Sequence, residues 1–308
     1  MRVFVAGATG AIGRPLVPML IEAGHEVTGM TRSEERADRL RDAGAGAVVA
    51  DALDAEAVRA AIVAAAPEAV IHQLTDLPQE WSMKPDYGGT SRLRTEGTRN
   101  LLDGARAAGA RRFIAQSIAF IYAPQGGTVK DEDAPTLAGG DSGFAKAIDA
   151  TVELERAVTT AEGLEGLALR YGFFYGPGTY YAPGTKMARQ VKRRWFPIVG
   201  DGGGIFSFVH VDDAAAATVA ALTHGAPGVY NVVDDDPAPM REWLPAFAEA
   251  LGAKPPRRMP LWLAKLVARD TVAMAAAMRG ASNARAKREL GWAPRQPSWR
   301  QGFREVLG

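Results

Sequence analysis

At 308 residues the chain is long enough for one large α/β domain or two smaller ones with a full core. Lys and Arg number 36 against 35 Asp and Glu, with no long block of one sign, which argues against nucleic-acid or polybasic membrane partners. Cysteine is absent, so disulfides, thiolate nucleophiles and cysteine-based metal sites are excluded, and a cytoplasmic location is expected.

The predicted elements alternate. Short apolar runs at 2–6, 25–31, 47–51, 69–74, 111–117 and 164–171 read as strands. Between them lie helix-length segments at 11–24, 33–44, 55–66, 91–109 and 140–158, three of which stop at Gly24, Gly44 and Gly109. Such alternation predicts parallel strands joined by right-handed crossovers, hence an α/β doubly wound sheet. Past residue 171 the rhythm changes to Gly-, Pro- and aromatic-rich loops. Strands return at 206–211 and 228–233, with helices near 240–251, 260–278 and 283–290. This divides the chain into a sheet domain over 1–170, to which 206–233 returns, and a small C-terminal substrate-binding lobe over 171–205 and 234–308. The glycines and Arg14 of the N-terminal stretch break any signal-peptide core. Lys265, Arg269 and Asp270 interrupt 261–278, which reads as an amphipathic surface or interface helix; no membrane association is expected.

The first strand runs into GATGAIG, with Gly7, Gly10 and Gly13 at the spacing a dinucleotide cradle needs. Gly7 permits the turn, Gly10 admits the pyrophosphate and Gly13 lets helix and strand pack, while the helix N-terminus favours the anion. The second strand ends in MTRSEER, without an acid to hold a ribose 2′-hydroxyl. Arg32, with Ser33 beside it, suits a 2′-phosphate, so NADP is favoured over NAD. Asp51, ending the third strand, is placed either for adenine or to cap the next helix.

With these residues assembled, the sequence resembles an extended short-chain dehydrogenase/reductase of the NAD-dependent epimerase/dehydratase family. The likeness runs through GATGAIG, VVADALD, AVIHQLT, EGTRNLLDGARAAGARRFIAQS, LRYGFFYGPG, VGDGGGIFSFVHVDDAA, VYNVVDDDPA and AKRELGWAPR. It implies a Rossmann-type domain with a small C-terminal lobe, and a homodimer paired through helices at about 90–108 and 143–160. It also implies phosphate-loop roles for Gly7, Thr9, Gly10, Ala11, Ile12 and Gly13, and adenine contacts from Asp51, Ala52 and Leu53. Gln73, Leu74 and Thr75 would line the ribose, Gln116 and Ser117 would lie beside the nicotinamide, and Tyr171, Gly172 and Phe173 would cover its face.

The catalytic positions depart from the family. Its members carry Tyr-x-x-x-Lys at the start of the helix that here reads GDSGFAKAIDATVELERAV, which holds no tyrosine. Counting from the fifth strand gives Ser142-x-x-x-Lys146; counting back from the sixth, with Glu153 as the helix acid, gives Ala145-x-x-x-Asp149. The family's Ser or Thr becomes Ile118, with Ser117 one residue away, and its active-site Asn becomes Arg94. A serine hydroxyl is far less acidic than a phenol with pKa about 10, so Ser142 is no simple replacement. Lys146 reads equally as a cofactor contact or as a solvated helix lysine. The substitute acids expected are Tyr122 and Tyr175, each of which also fits a packing role. His72 reads as a core histidine, and the four histidines show no metal-ligand spacing, so no metal is expected.

Lys186, Arg189, Lys192, Arg193 and Arg194 form a basic cluster that fits either an anionic substrate or a solvated helix face, whereas the aromatic loop 171–183 fits an apolar small molecule. The function expected is an NAD(P)-dependent oxidoreductase of carbonyl reductase or dehydrogenase type with a non-standard proton donor, acting on a small molecule. A nucleotide-sugar epimerase or dehydratase, and a non-redox catalyst or dinucleotide-sensing protein on the same fold, are the alternatives.

Overall fold

Parallel strands covered on both faces need near-continuous apolar runs, and seven segments supply them: β1 (Arg2–Ala6), β2 (Glu26–Thr31), β3 (Gly46–Val49), β4 (Ala69–His72), β5 (Arg112–Ile118), β6 (Glu165–Tyr171) and β7 (Gly228–Val232). They form one parallel sheet in the order β7-β6-β5-β4-β1-β2-β3. The structure, a computed structural model, describes residues 1–308 apart from 79, 83, 84 and 138 and the side chains of 267–270, among which lie the Arg269 and Asp270 of the sequence reading. Chain order reverses between β1 and β4. In open α/β sheets that reversal opens a crevice beyond the carboxyl ends of the strands, where ligands bind.

Helices cover both faces. α1 (Gly13–Glu22) and α8 (Val211–Ala220) pack on one side, around Leu16, Leu20, Ala214 and Ala217. On the other lie α3 (Ala55–Ala65), α5 (Thr98–Ala107) and α6 (Gly143–Thr159), where Ile62, Leu101 and Phe113 are fully buried, each contributing ~1.5–3 kcal/mol. α2 (Glu34–Asp42) follows β2, with Ser33 as its cap. α4 (Gly88–Arg92) joins α5 through a π-helical turn, Leu93–Gly97.

A third core lies beyond the sheet. α7 (Lys186–Lys192), α9 (Met240–Ala250) and α12 (Trp299–Leu307) enclose Tyr175, Tyr181, Phe208, Trp243, Phe247 and Phe303, whose rings meet mostly edge to face. α10 (Leu261–Ala277) lies against this lobe with Trp262 and Leu266 exposed, and α11 (Ala284–Glu289) returns to the sheet.

The run 206–211 does not form the single strand the pattern suggests. Ile205–Phe206 pairs with Ala238–Pro239 and Phe208–His210 with Phe173–Tyr175, both outside the seven-stranded sheet. Its aromatic residues face the third core, so burial there outweighs extension of the ladder. α8 and α12, which the sequence reading did not set out, are capped by His210 and Ser298. Among the described residues no helix is long and apolar enough to cross a membrane.

Candidate active site

The turn from β1 into α1 is fixed by backbone contact. Gly7 has φ +90°, and a Cβ there would lie 2.7 Å from the Gln73 carbonyl oxygen; one on Gly13 would lie 2.4 Å from the Gly7 oxygen. Only glycine fits either place, so the loop and the N-terminus of α1 form a cradle open at Gly10. Two buried polar atoms at the crevice rim have no hydrogen-bond partner among the described residues, Thr31 Oγ1 at the end of β2 and Gln73 Oε1 just past β4. A narrow glycine cradle with unmet polar groups on both sides fits a dinucleotide.

Around this cradle the expected contacts divide. Arg32 is exposed at the tip of β2, its nearest carboxylate Asp76 at 3.9 Å. Ser33 Oγ accepts a hydrogen bond from Arg36 N at 3.4 Å, at the head of α2. Asp51 closes a local turn, accepting from Leu53 N at 3.0 Å, and the cap of α3 is Asp54 instead. Ala52 is buried, and its carbonyl accepts from Asn100 Nδ2 at 2.9 Å. Leu74 and Thr75 are half-buried beside Gln73, as is Gln116 at the end of β5. Tyr171 is fully buried. Its hydroxyl joins Thr218 at 2.7 Å and accepts from Gln73 Nε2 at 3.1 Å, and burial pushes it up to about 12. Gly172 is buried behind it, while Phe173 stacks on Phe120 at 4.5 Å.

At the head of α6, Ser142 is the N-cap, accepting from Ala145 N at 3.1 Å, and Lys146 is exposed. Asp149 accepts from Gly139 N at 3.2 Å, and a Cβ on Gly140 would lie 3.0 Å from that of Ala145. Ser142, Lys146 and Asp149 therefore share the face turned away from the sheet, while Ala145 is buried beside Gly140. The inward face carries Phe144, Ala147, Ile148, Thr151 and Glu155. The acid that α6 buries is Glu155, not Glu153, which is exposed. Counting from Glu155 puts a Tyr-x-x-x-Lys pair at Ala147 and Thr151, 2% and 0% exposed. No register supplies a phenol.

Below that face runs a buried polar network that sequence reasoning missed. Ser117 Oγ donates to Glu155 at 2.5 Å, and Arg170 grips both Glu155 oxygens at 2.7 Å. Arg170 also donates to the Tyr122 hydroxyl at 3.0 Å, which donates to Asn231 Oδ1 at 2.6 Å; burial pushes this phenol up to about 12. Ser117 and Tyr122 are thus committed to fixed partners. Tyr175 lies 0% exposed in the third core against Phe303 and His210, and burial raises its pKa strongly. The structure joins Ser117 to Tyr122 through Glu155 and Arg170, but brings neither together with Ser142, Lys146 or Tyr175. An acid on α6 and the Arg of LRY were the only signals for the Glu155 pair.

His72 ends β4 and is neutral. Leu74 N–H donates to Nδ1 at 3.2 Å, which leaves the proton on Nε2 to donate to Thr98 Oγ1 at 3.1 Å; burial pulls its pKa down to about 4. Arg94, on the π-helical turn, is 6% exposed and donates to the Ala147 carbonyl at 3.2 Å. Tyr87, unremarked in the sequence, meets Phe144 edge-on at 6.0 Å. The segment past β4 is strapped to the C-terminal lobe. Tyr180 donates to the Pro78 carbonyl, Trp81 meets Phe196 at 5.0 Å, and Glu80 pairs with Arg189 at 3.0 Å and Lys186 at 4.0 Å. The rest of the basic cluster disperses, Arg193 over Trp195 and Arg194 onto the Pro255 carbonyl. Among the described residues no group of three His, Asp or Glu is disposed to hold a metal.

Comparison with known proteins matches this geometry. The family model described as NAD dependent epimerase/dehydratase family matches residues 3–232. A 3-diazoavenalumate denitrifying reductase of a Streptomyces species is 50% identical over 309 residues, covering 98% of this chain and 99% of that one. A 2-alkyl-3-oxoalkanoate reductase of Stenotrophomonas maltophilia is 27% identical over 82% of this chain and 76% of its own. Among solved structures, the UDP-glucose 4-epimerase of Thermus thermophilus in complex with NAD superposes with a TM-score of 0.72 at 25% identity, covering 100% of this chain and 98% of that one. Cradle, strand order and these likenesses agree: the chain belongs to the NAD-dependent epimerase/dehydratase family, as an oxidoreductase-type enzyme that binds a pyridine dinucleotide.

Proposed function

We propose that this enzyme is an NADP-dependent reductase that removes the nitrogen of an aromatic diazo compound, replacing it with hydrogen. The observation that carries the reading is the head of α6, where none of the three registers offers a phenol, and where Ser142 caps the helix and Lys146 is exposed. A carbonyl reductase must protonate the oxygen it creates. Attack of hydride at the ring carbon of an arenediazonium forms a C–H bond, while the C–N bond breaks with its electron pair leaving on dinitrogen. Charge balances with no oxyanion to protonate, so the missing acid costs that reaction nothing. The relative at 50% identity is named for reductive loss of nitrogen from a diazo acid, 3-diazoavenalumate.

When bound, the nicotinamide supplies the hydride. The chain's own residues bind and orient: the glycine cradle takes the pyrophosphate, Arg32 with Ser33 and Thr31 the adenosine 2′-phosphate, and Gln73 and Gln116 the ribose and nicotinamide side. Glu80, Trp81 and Tyr180 tie the segment past β4 to the C-terminal lobe. The same reading has the enzyme act in the cytoplasm as a homodimer paired through α5 and α6, where a groove of about 340 Å³ lined by Arg99, Arg106, Glu153 and Arg156 lies on the outer face, with Arg94 at its inner wall.

The test is to incubate the enzyme with an arenediazonium carboxylate and NADPH deuterated at nicotinamide C4. Deuterium on the ring carbon that bore nitrogen, with one dinitrogen released per NADPH consumed, is the expected result. Bound NADPH with no deuterium transfer to any diazo substrate would refute it.

A further inference from the structure

We propose, resting on that reading, that Arg94 and Tyr87 form a receptor for an oxyanion carried by the aromatic substrate, its carboxylate or a ring oxygen. Arg94 is buried, yet among the described residues only one of its five N–H donors has a partner, the Ala147 carbonyl at 3.2 Å. It forms no ion pair there. Glu155, the acid within its field, already binds both Arg170 and Ser117. Its unpaired nitrogens are not sealed from solvent, so the guanidinium keeps donors free for a ligand.

The place fits a ligand. Arg94 lies within the electrostatic reach of His72, at the carboxyl end of β4, and of the half-buried Tyr87. His72 is neutral and its two nitrogens are spent on Leu74 and Thr98, so it offers no competing charge. The Tyr87 hydroxyl makes no hydrogen bond among the described residues, and its ring stands against Phe144 on the first turn of α6. Tyr180, from the strapped lobe, shares the field of Tyr87. A guanidinium and a phenol, both with donors to spare, match an oxyanion through charge-assisted hydrogen bonds. Phe144, against the Tyr87 ring, supplies a flat apolar wall for the ring that carries it. The receptor would fix the substrate without taking part in bond making, which makes both residues determinants of specificity.

Equilibrium binding to the full-length protein with NADP⁺ present tests this without turnover, using trans-cinnamate and its uncharged analogue cinnamyl alcohol as probes. Wild type should prefer the acid by about tenfold or more. Arg94→Gln should abolish that preference, Arg94→Lys should retain part of it, and Tyr87→Phe should lower it several-fold, all with NADPH affinity unchanged. Equal binding of acid and alcohol by wild type would overturn the receptor. So would an acid preference that survives both Arg94→Gln and Tyr87→Phe. If Arg94→Gln does not fold, Tyr87→Phe decides alone. Acid-selective binding alongside failed diazo reduction would sink only the proposed reaction, whereas diazo reduction without acid selectivity would sink only the receptor.

Discussion

Truncating Glu155 should be among the most damaging single substitutions in this chain, although the residue touches no expected ligand. Its side chain is 7% exposed and that of Arg170 5%, and the two meet in a bidentate pair at 2.7 Å. Glu155→Ala would leave a buried guanidinium with two donors unmet and strip the acceptor from Ser117 Oγ, bonded at 2.5 Å. Breaking a buried pair from one side costs ~3–5 kcal/mol, and the Ser117 bond and the vacated volume put the expectation at ~4 kcal/mol. Arg170 keeps Tyr122 at 3.0 Å and the Glu132 carbonyl at 3.3 Å, which limits the loss. Removing both charges together, as Glu155→Leu with Arg170→Met, should cost ~2 kcal/mol or less, because no charge then stays uncompensated. Urea unfolding of the wild type, both single variants and the double variant would give the coupling directly. If Glu155→Ala costs under ~1 kcal/mol, or if the double variant costs the sum of the singles, the pair is not the buried, desolvated unit described.

Three further outcomes follow from single groups. His72 has its pKa lowered from 6.5 to about 4 by burial, so the unfolded chain takes up a proton first as pH falls. Stability should be full above pH ~6.5 and decline by ~3 kcal/mol towards pH ~4, and His72→Gln should flatten that slope in urea titrations across the range. Arg32→Glu should weaken NADPH binding by about tenfold or more with NADH nearly unchanged; equal loss of both in a fluorescence titration would deny a 2′-phosphate contact. Glu80→Gln removes the ion pairs to Arg189 and Lys186, which are solvent-exposed and worth ~1 kcal/mol or less. Substrate KM should rise by no more than about fivefold with kcat retained, an effect that high salt should reproduce in wild type.

The cradle was legible because its residues are contiguous: a strand, three glycines at fixed intervals and a helix carry their own geometry. The doubly wound parallel sheet was equally open, since alternation and handedness leave few topologies. The head of α6 was not. Glu153 and Glu155 are both acids two residues apart on a helix, and only burial tells which faces inward, so the count back to Ala145 came out two residues out of phase. Tyr122 and Tyr175 lay near the right motifs, but their side chains are claimed by Asn231 and by the aromatic core around Phe303. Tyr87 and Phe144 come from different helices and meet only once the sheet has closed. Asp51 against Asp54 was a choice of phase within one turn. Contiguous backbone features survive the step from sequence to structure, while side-chain partnerships across elements depend on facing directions that a one-residue shift reverses.

The π-helical turn Leu93–Gly97 makes the orientation of Arg94 a matter of helical phase. A π turn spends one residue more than an α turn, so everything on one side of it is rotated by about 100° relative to an unbroken α-helix. The most telling change at this site is therefore a deletion. Removing one residue between Thr95 and Gly97 would let α4 and α5 run as one regular helix and swing the guanidinium off the Ala147 carbonyl, with the arginine itself still present. Residue identity and residue placement are encoded separately here, and the length of one helix turn decides which way that guanidinium faces.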